Sequence, residues 1–224
     1  MKEELSTTNT YDVSTLTEND IVLTHINSLC NLNVSINPTH QKIPTMYWIP
    51  KLHKQPYKQR FISNSVSCST TKLSTLLTSC LTVVKENTIK YADKVFETSN
   101  KNIFWSIKNS NEVLKKLETL NNQASSISSY DFSTLYTSLP HNLIKSKLVN
   151  LIKKTFLSLK CDFIACNENK AFFTNGVFHN YTMWTSKMFC EALEFLIDNI
   201  FVRFGNNVYI QKTGKFLWEQ IVHL

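Results

Sequence analysis

The chain has 224 residues, 42% hydrophobic and 12% aromatic, a composition that is typical of a folded protein and excludes a disordered one. Its formal net charge is +7, and the stretch from Lys42 to Lys85 holds seven basic residues and no Asp or Glu. That stretch is either a phosphate-binding surface or an ordinary solvated basic face, and charge alone favours neither. The scattered cysteines, and the lack of a secretory signal or a membrane-length apolar run in these residues, favour an intracellular protein of the nucleus or cytoplasm with no membrane partner.

The first half of the chain is expected to form helices and one hairpin. Apolar residues spaced by three and four mark the helices, and short apolar runs bounded by turn residues mark the strands. In chain order the expected elements are a mobile polar lead-in at 1–20, a helix at 21–32, strands at 46–50 and 60–62 around a basic loop at 51–58, and helices at 71–84 and 111–120. Either Asn109 or Ser110 can cap the last of these helices.

The second half is expected to alternate strands and helices. The expected elements are a buried strand at 127–132, a basic amphipathic helix at 142–156, a hairpin of 171–173 with 176–180, a helix at 186–202 and a final strand at 208–211. The inward face of the basic helix is expected to hold Leu143, Leu148, Leu151 and Ile152. Helices and strands mix along the whole chain, which predicts an α/β or α+β fold.

Asp131 is the candidate catalytic residue. An apolar, serine-rich run from Ile127 to Tyr130 leads into it, and the aromatic Tyr136 follows five positions later. A carboxylate at a strand end can hold a catalytic metal, and a two-metal site stabilises both the attacking and the leaving oxygen of phosphoryl transfer. Taken alone, Asp131 is more often a cap at a strand–helix junction, and Tyr136 is more often a core residue.

Three segments, taken in their order and spacing, resemble a known family. They are YWIPKLHK at 47–54 leading to RFI at 60–62, YDFSTLY at 130–136, and FGNNVY at 204–209 followed by Gly214. Together they resemble the reverse transcriptase of Penelope-like retroelements, which are relatives of telomerase reverse transcriptase. The resemblance extends from about Lys42 to Gly214, which is most of the chain.

The resemblance implies part of a right-hand polymerase, with the fingers and the first half of the palm. The implied segments are a lead-in and N-terminal helix at 1–41, a fingers-like segment at 42–126, a partial palm at 127–214 and a tail at 215–224. The implied activity is RNA-directed DNA polymerisation, in which nucleotides are transferred by a two-metal mechanism. Its cofactor would be Mg²⁺, and its partners would be an RNA template, a DNA primer and deoxynucleoside triphosphates.

The resemblance also assigns roles to individual residues. Asp131 would be the first metal-binding carboxylate and the catalytic residue, and the ring of Tyr136 would block a ribose 2′-hydroxyl. Lys51 and Arg60 would hold the triphosphate of the incoming nucleotide, for which the planar fork of arginine is well suited. The residues expected to contact nucleic acid are Lys54 and Lys58 in the fingers and Lys145 and Lys147 in the basic helix.

The tail after Gly214 departs from the family pattern, in which a glycine turn of the form IPMGTNCSP is expected. A shift of two bases within a permitted set of codons for Lys215 to Leu224 gives Ile-Pro-Met-Gly-Thr-Asn-Cys-Ser-Pro, so the tail resembles the family motif read out of frame. An exon-boundary error is the alternative interpretation. The second carboxylate pair of the family belongs after that motif, and we therefore expect the 224-residue chain to be catalytically inactive.

Two other interpretations of the sequence remain. One is a non-catalytic remnant of a retroelement that binds nucleic acid through its basic fingers. The other is an unrelated basic α/β domain, which would lack a strand at 127–132 beside the final strand.

Overall fold

The structure is a computed structural model that describes residues 10–37, 39–52, 55, 58–104, 107, 109–119, 126, 128–130 and 139–213, with the backbone alone at 58–60. The chain divides into two compact units. The first comprises Met1–Lys85 and Thr134–Leu224, and the second comprises Glu86–Ser133. None of the helices in the described ranges is long and apolar enough to cross a membrane.

The described residues form five helices and eight strands, so the predicted mixed α/β class is confirmed. The helices are α1 (Glu18–Asn31), α2 (Thr71–Ser99), α3 (Ser110–Thr119), α4 (His141–Leu159) and α5 (Ser186–Asp198). The strands are β1 (Tyr11–Val13), β2 (Thr45–Lys51), β3 (Lys58–Asn64), β4 (Phe163–Cys166), β5 (Ala171–Thr174), β6 (Thr182–Thr185), β7 (Phe201–Phe204) and β8 (Asn207–Gln211). The second unit holds the C-terminal part of α2 and all of α3. No residue of α3 is buried.

A five-stranded sheet in the order β1-β8-β7-β2-β3 forms one part of the first unit. Its neighbouring strands are antiparallel except β2 and β7, which are parallel and share the single register pair Thr45 and Arg203. Helix α1 covers one face of this sheet, where Ile21 and Val22 pack with Ile43 and Phe201. The opposite face carries a smaller apolar cluster around Met46, Val202 and Tyr209.

The largest hydrophobic core lies around a three-stranded antiparallel sheet in the order β5-β4-β6. Trp184 of β6 is at its centre, fully buried and stacked on Phe189 of α5. The Trp184 Nε1–H donates a hydrogen bond of 2.8 Å to the carbonyl oxygen of Leu32, which follows α1. The indole thus satisfies its one donor while joining two segments distant in sequence.

The ends of several elements have local causes in the sequence. Helix α1 begins early because Thr17 and Asp20 form a capping box, in which each side chain bonds the other residue's backbone N–H. Asn109 accepts a hydrogen bond from the Glu112 N–H, which confirms the expected cap of α3. Gly205 has φ of 62° in the two-residue turn between β7 and β8, a backbone conformation that side chains disfavour.

Several sequence expectations need correction in the first unit. The helix expected at 186–202 ends at Asp198, because Phe201 and Val202 are strand residues that enter cores on opposite faces of the sheet. The expected hairpin of 171–173 with 176–180 does not form, since β5 pairs with the preceding strand β4. Leu143 is 50% exposed and not inward, although Ile152 is buried as expected.

The lead-in and the strand at 127–132 also differ from expectation. Tyr11–Val13 is an ordered strand that pairs with β8, so the expected mobile lead-in does not extend across 1–20. Ser128, Ser129 and Tyr130 are exposed and are not in a strand, and the side chain of Tyr130 is 91% exposed. The other positions of the expected strand, 127, 131 and 132, lie outside the described part of the chain.

Candidate nucleic-acid interface

Strands β2 and β3 form a two-stranded ribbon that extends beyond the five-stranded sheet. Their register has seven pairs, from Thr45 with Asn64 to Lys51 with Lys58. Because β7 pairs with β2 only at Thr45, β3 is the one strand that flanks β2 from Met46 onward in the described part of the chain. Six residues of strand span about 20 Å. We call residues 46–63, with the tip between the strands, the β2–β3 ribbon.

The predicted hairpin is therefore confirmed, but its strands are longer than expected, because Lys51 and Lys58, which were expected in the basic loop, are strand residues. Lys51 lies directly opposite Lys58 in the register, and Arg60 is opposite Ile49. Alternate residues of a strand, and register partners, share a face, so positions 51, 58 and 60 lie on one face of the ribbon. The backbone register thus groups three of the predicted basic positions on one face of the ribbon.

The ribbon also exposes large apolar side chains. Tyr47, Trp48 and Ile49 are 44%, 48% and 44% exposed, although all three lie within a strand. Exposed aromatic rings beside basic residues are typical of surfaces that bind single-stranded nucleic acid. We did not predict a binding role for the two rings from the sequence. The available signal was three consecutive bulky residues in a strand, because alternation must place at least one of them outside the core.

The two predicted lysines of α4 differ in their surroundings. The Lys145 ammonium forms an ion pair with Asp198, with Nζ 2.7 Å from Oδ1 and 2.9 Å from Oδ2. This contact holds the end of α5 against α4. Lys147 is exposed on the same helix. Of this pair, Lys147 is the better placed to contact a phosphate, because Lys145 already has a carboxylate partner.

An isolated bridge joins two residues that follow the second and third family-like segments. Pro140, just after the second segment, pairs with Thr213, just after β8. The third segment forms the β7–β8 hairpin, and β7 is the neighbour of β2, where the first segment begins. The first and third segments thus lie in the five-stranded sheet, whereas the one described residue of the second segment, Tyr130, is exposed and is not in a strand. Asp131, Tyr136 and Lys54 lie outside the described residues, and for Lys58 and Arg60 only the backbone is described.

The final strand β8 is flanked by β1 on one side and by β7 on the other. Of the strand expected at 127–132 beside it, Ser128, Ser129 and Tyr130 are not in a strand, and positions 127, 131 and 132 lie outside the described residues, where the expectation stays a prediction.

Burial shifts the pKa values of His25 and Tyr11, which pack near the five-stranded sheet. His25 of α1 is 2% exposed, and burial lowers its pKa to about 4. Burial also raises the pKa of Tyr11 in β1 to about 12. Both groups belong to the folded core and not to the exposed ribbon, so their shifts concern stability.

The described residues contain no group of three or more His, Cys, Asp or Glu arranged to hold a metal ion. All six cysteines are free thiols. No protein-family model, no curated protein and no solved structure matches this chain. The candidate interface is a basic and aromatic β-ribbon that extends from a mixed sheet.

Proposed function

We propose that this chain is part of a reverse transcriptase domain related to that of Penelope-like retroelements, and that the β2–β3 ribbon belongs to its fingers. One observation carries the proposal. The first and third of the segments that resemble the family are widely separated in sequence, yet both lie in one five-stranded sheet, where β2 and β7 share the Thr45–Arg203 register pair. A set of motifs that builds a single site is expected to converge in this way.

The basic face of the ribbon suits the triphosphate of an incoming nucleotide. Lys51 and position 60 occupy neighbouring strands on the same face, and position 58 lies directly opposite Lys51. An arginine fork binds two phosphate oxygens at once, whereas an ammonium acts as a compact point charge. Lys51 and Arg60 would thus grip the triphosphate, with Lys54 and Lys58 serving phosphates of the template or primer.

Asp131 would supply the first carboxylate of a magnesium site, and Tyr136 would select against a ribose 2′-hydroxyl. When bound, Mg²⁺ neutralises the charge that develops on phosphate oxygens during transfer. The described residues bring no carboxylates together. The proposed metal site therefore depends on residues outside the described ranges, and the nucleotide-binding role of the ribbon does not.

A second candidate function is nucleic-acid binding without catalysis. It is favoured by the charge of the ribbon, since the stretch from Lys42 to Lys85 has seven basic residues and no acid. Such a surface binds phosphates with no need of a metal. The two functions differ in whether binding of a nucleoside triphosphate requires Mg²⁺ and Asp131.

Salt-dependent binding of a fluorescent primer–template tests the part that both functions share. Substituting Lys54→Ala and Lys58→Ala together removes the two proposed contacts to template or primer phosphates, so the slope of log affinity against log salt should become shallower by about 1.8. The matched control removes two charges elsewhere, at Lys115 and Lys187, which are both exposed. Equal slopes for the two double variants would exclude the ribbon as the phosphate-binding surface.

A further inference from the structure

One face of the β2–β3 ribbon carries a ring, an aliphatic side chain and a cation in succession. Tyr47, Ile49 and Lys51 are alternate residues of β2 and therefore share a face. Tyr47 and Ile49 are each 44% exposed. No carboxylate in the described part of the chain forms an ion pair with Lys51. We call this surface the Tyr47 face.

The opposite face of the ribbon is aromatic but neutral. It holds Trp48 and Pro50, which lie opposite Phe61 and Gln59 in the register. Trp48 is 48% exposed, so its ring is as accessible as that of Tyr47. The two faces thus differ chiefly in charge, because the basic positions 51, 58 and 60 all belong to the Tyr47 face.

A ring and a cation on one strand face match the two chemical parts of a nucleotide chain. Lys51 lies four positions after Tyr47 in the strand, a distance of about 13 Å that leaves room for a base and the phosphates that follow it. Stacking requires the flat face of a base. In a duplex that face is covered by neighbouring base pairs, and in a single strand it is free.

We propose that, when no nucleoside triphosphate is bound, the Tyr47 face binds single-stranded nucleic acid, with an unpaired base stacked on the Tyr47 ring and the adjoining phosphates at Lys51 and position 58. This inference rests on the proposed function, since it takes the partner to be nucleic acid. It adds that base stacking, and not charge alone, contributes to the affinity. It also assigns the stacking to one of two equally exposed rings.

Two oligonucleotides of equal length separate stacking from charge. One is an oligo-dT and the other is its abasic counterpart, which keeps every phosphate and lacks every base. Anisotropy titrations are made with the full chain and with Tyr47→Leu, Tyr47→Phe and Trp48→Leu. Tyr47→Leu should weaken oligo-dT binding roughly 5- to 100-fold and leave abasic binding unchanged, while Tyr47→Phe retains a ring and should restore most of the affinity.

Two control variants should leave the ratio of oligo-dT to abasic affinity unchanged. Trp48→Leu removes the ring on the neutral face and should leave the ratio of oligo-dT to abasic affinity as it is in the parent chain. Lys51→Ala should weaken both ligands by the same factor, because both carry the same phosphates. Melting curves of each variant confirm folding, and Tyr47→Phe provides a second measure of the ring if Tyr47→Leu is unstable.

The outcomes distinguish this inference from the proposed function. Equal losses on both oligonucleotides for Tyr47→Leu would overturn the stacking, and a Trp48→Leu loss like that of Tyr47→Leu would overturn the choice of face. Tighter binding of a duplex than of the single strand would place the ribbon in a groove and overturn the single-strand preference. Failure of the parent chain to bind either oligonucleotide would overturn the proposed function as well.

Discussion

The stability of the fold should fall sharply below neutral pH because of His25. The imidazole is 2% exposed and packs edge-on against Phe195, with ring centroids 5.7 Å apart. Its Nδ1 lies 2.8 Å from the Ser69 hydroxyl oxygen, whereas its Nε2 is buried and has no hydrogen-bond partner among the described residues. The site accommodates a neutral ring, and a charged ring would lack solvation there.

The magnitude follows from the difference between the two pKa values. Burial lowers the His25 pKa from 6.5 to about 4, so the unfolded chain takes up a proton that the folded chain resists between these values. The free energy of unfolding is therefore highest above pH 6.5, as far as His25 determines it, and it decreases as the pH falls from 6.5 towards 4. At about 1.4 kcal/mol per pKa unit, the loss is roughly 3 kcal/mol.

Urea unfolding at several pH values between 7.5 and 4 measures this loss. The variant His25→Phe keeps a buried ring with no titratable group, so its stability should change by roughly 3 kcal/mol less over that interval than the parent's. His179→Gln is the matched control, because His179 is exposed and its replacement should leave the pH dependence as it was. The reasoning is refuted if His25→Phe loses as much stability in acid as the parent chain.

Two further predictions concern the turn between β7 and β8 and the hydrogen bond from Trp184 to Leu32. Gly205→Ala should destabilise the chain by about 1–2 kcal/mol in chemical denaturation, since the backbone there has φ of 62° and space is not the obstacle. The same change at Gly176, which has no positive φ, should cost less. Trp184→Phe should cost about 1–3 kcal/mol or more, because it leaves the Leu32 carbonyl without its donor and opens space in the core. A melting temperature equal to the parent's for either variant would contradict these expectations.

The elements that the sequence predicted well are those whose signals are local. The hairpin of β2 and β3 follows from two short apolar runs around a basic loop, and its existence is confirmed. Helix α1 begins at Glu18, earlier than expected, but the cause is also local, since Thr17 and Asp20 supply a capping box. Such signals act over three or four residues and need no knowledge of the tertiary fold.

The elements that the sequence missed depend on distant partners. β1 is only three residues long, too short for any periodicity, and exists because it pairs with β8 at the other end of the chain. Phe201 and Val202 continue the apolar pattern of α5, yet they form β7 because two separate cores lie on the two faces of the sheet. Helix α2 continues to Ser99, although its regular apolar pattern ends near Val84.

In the candidate interface, too, the features set by local pairing could be predicted and those set by distant partners could not. Lys51 and Arg60 could be predicted as neighbours, because hairpin pairing alone brings them together. That both Tyr47 and Trp48 are exposed could not be predicted, since it depends on β2 leaving β7 after Thr45. The roles of Asp131 and Tyr136 stay predictions from the resemblance.

Binding of a fluorescent deoxynucleoside triphosphate, with Mg²⁺ and with a chelator in its place, tests the reverse transcriptase proposal most directly. We expect binding that requires Mg²⁺ and is weakened both by Arg60→Ala, which removes a phosphate ligand, and by Asp131→Asn, which removes charge from the metal site while keeping its shape. The Lys115→Ala and Lys187→Ala control should bind as the parent does. Binding that is indifferent to Mg²⁺ and to Asp131→Asn, with intact binding of nucleic acid, would contradict the polymerase and favour the non-catalytic function.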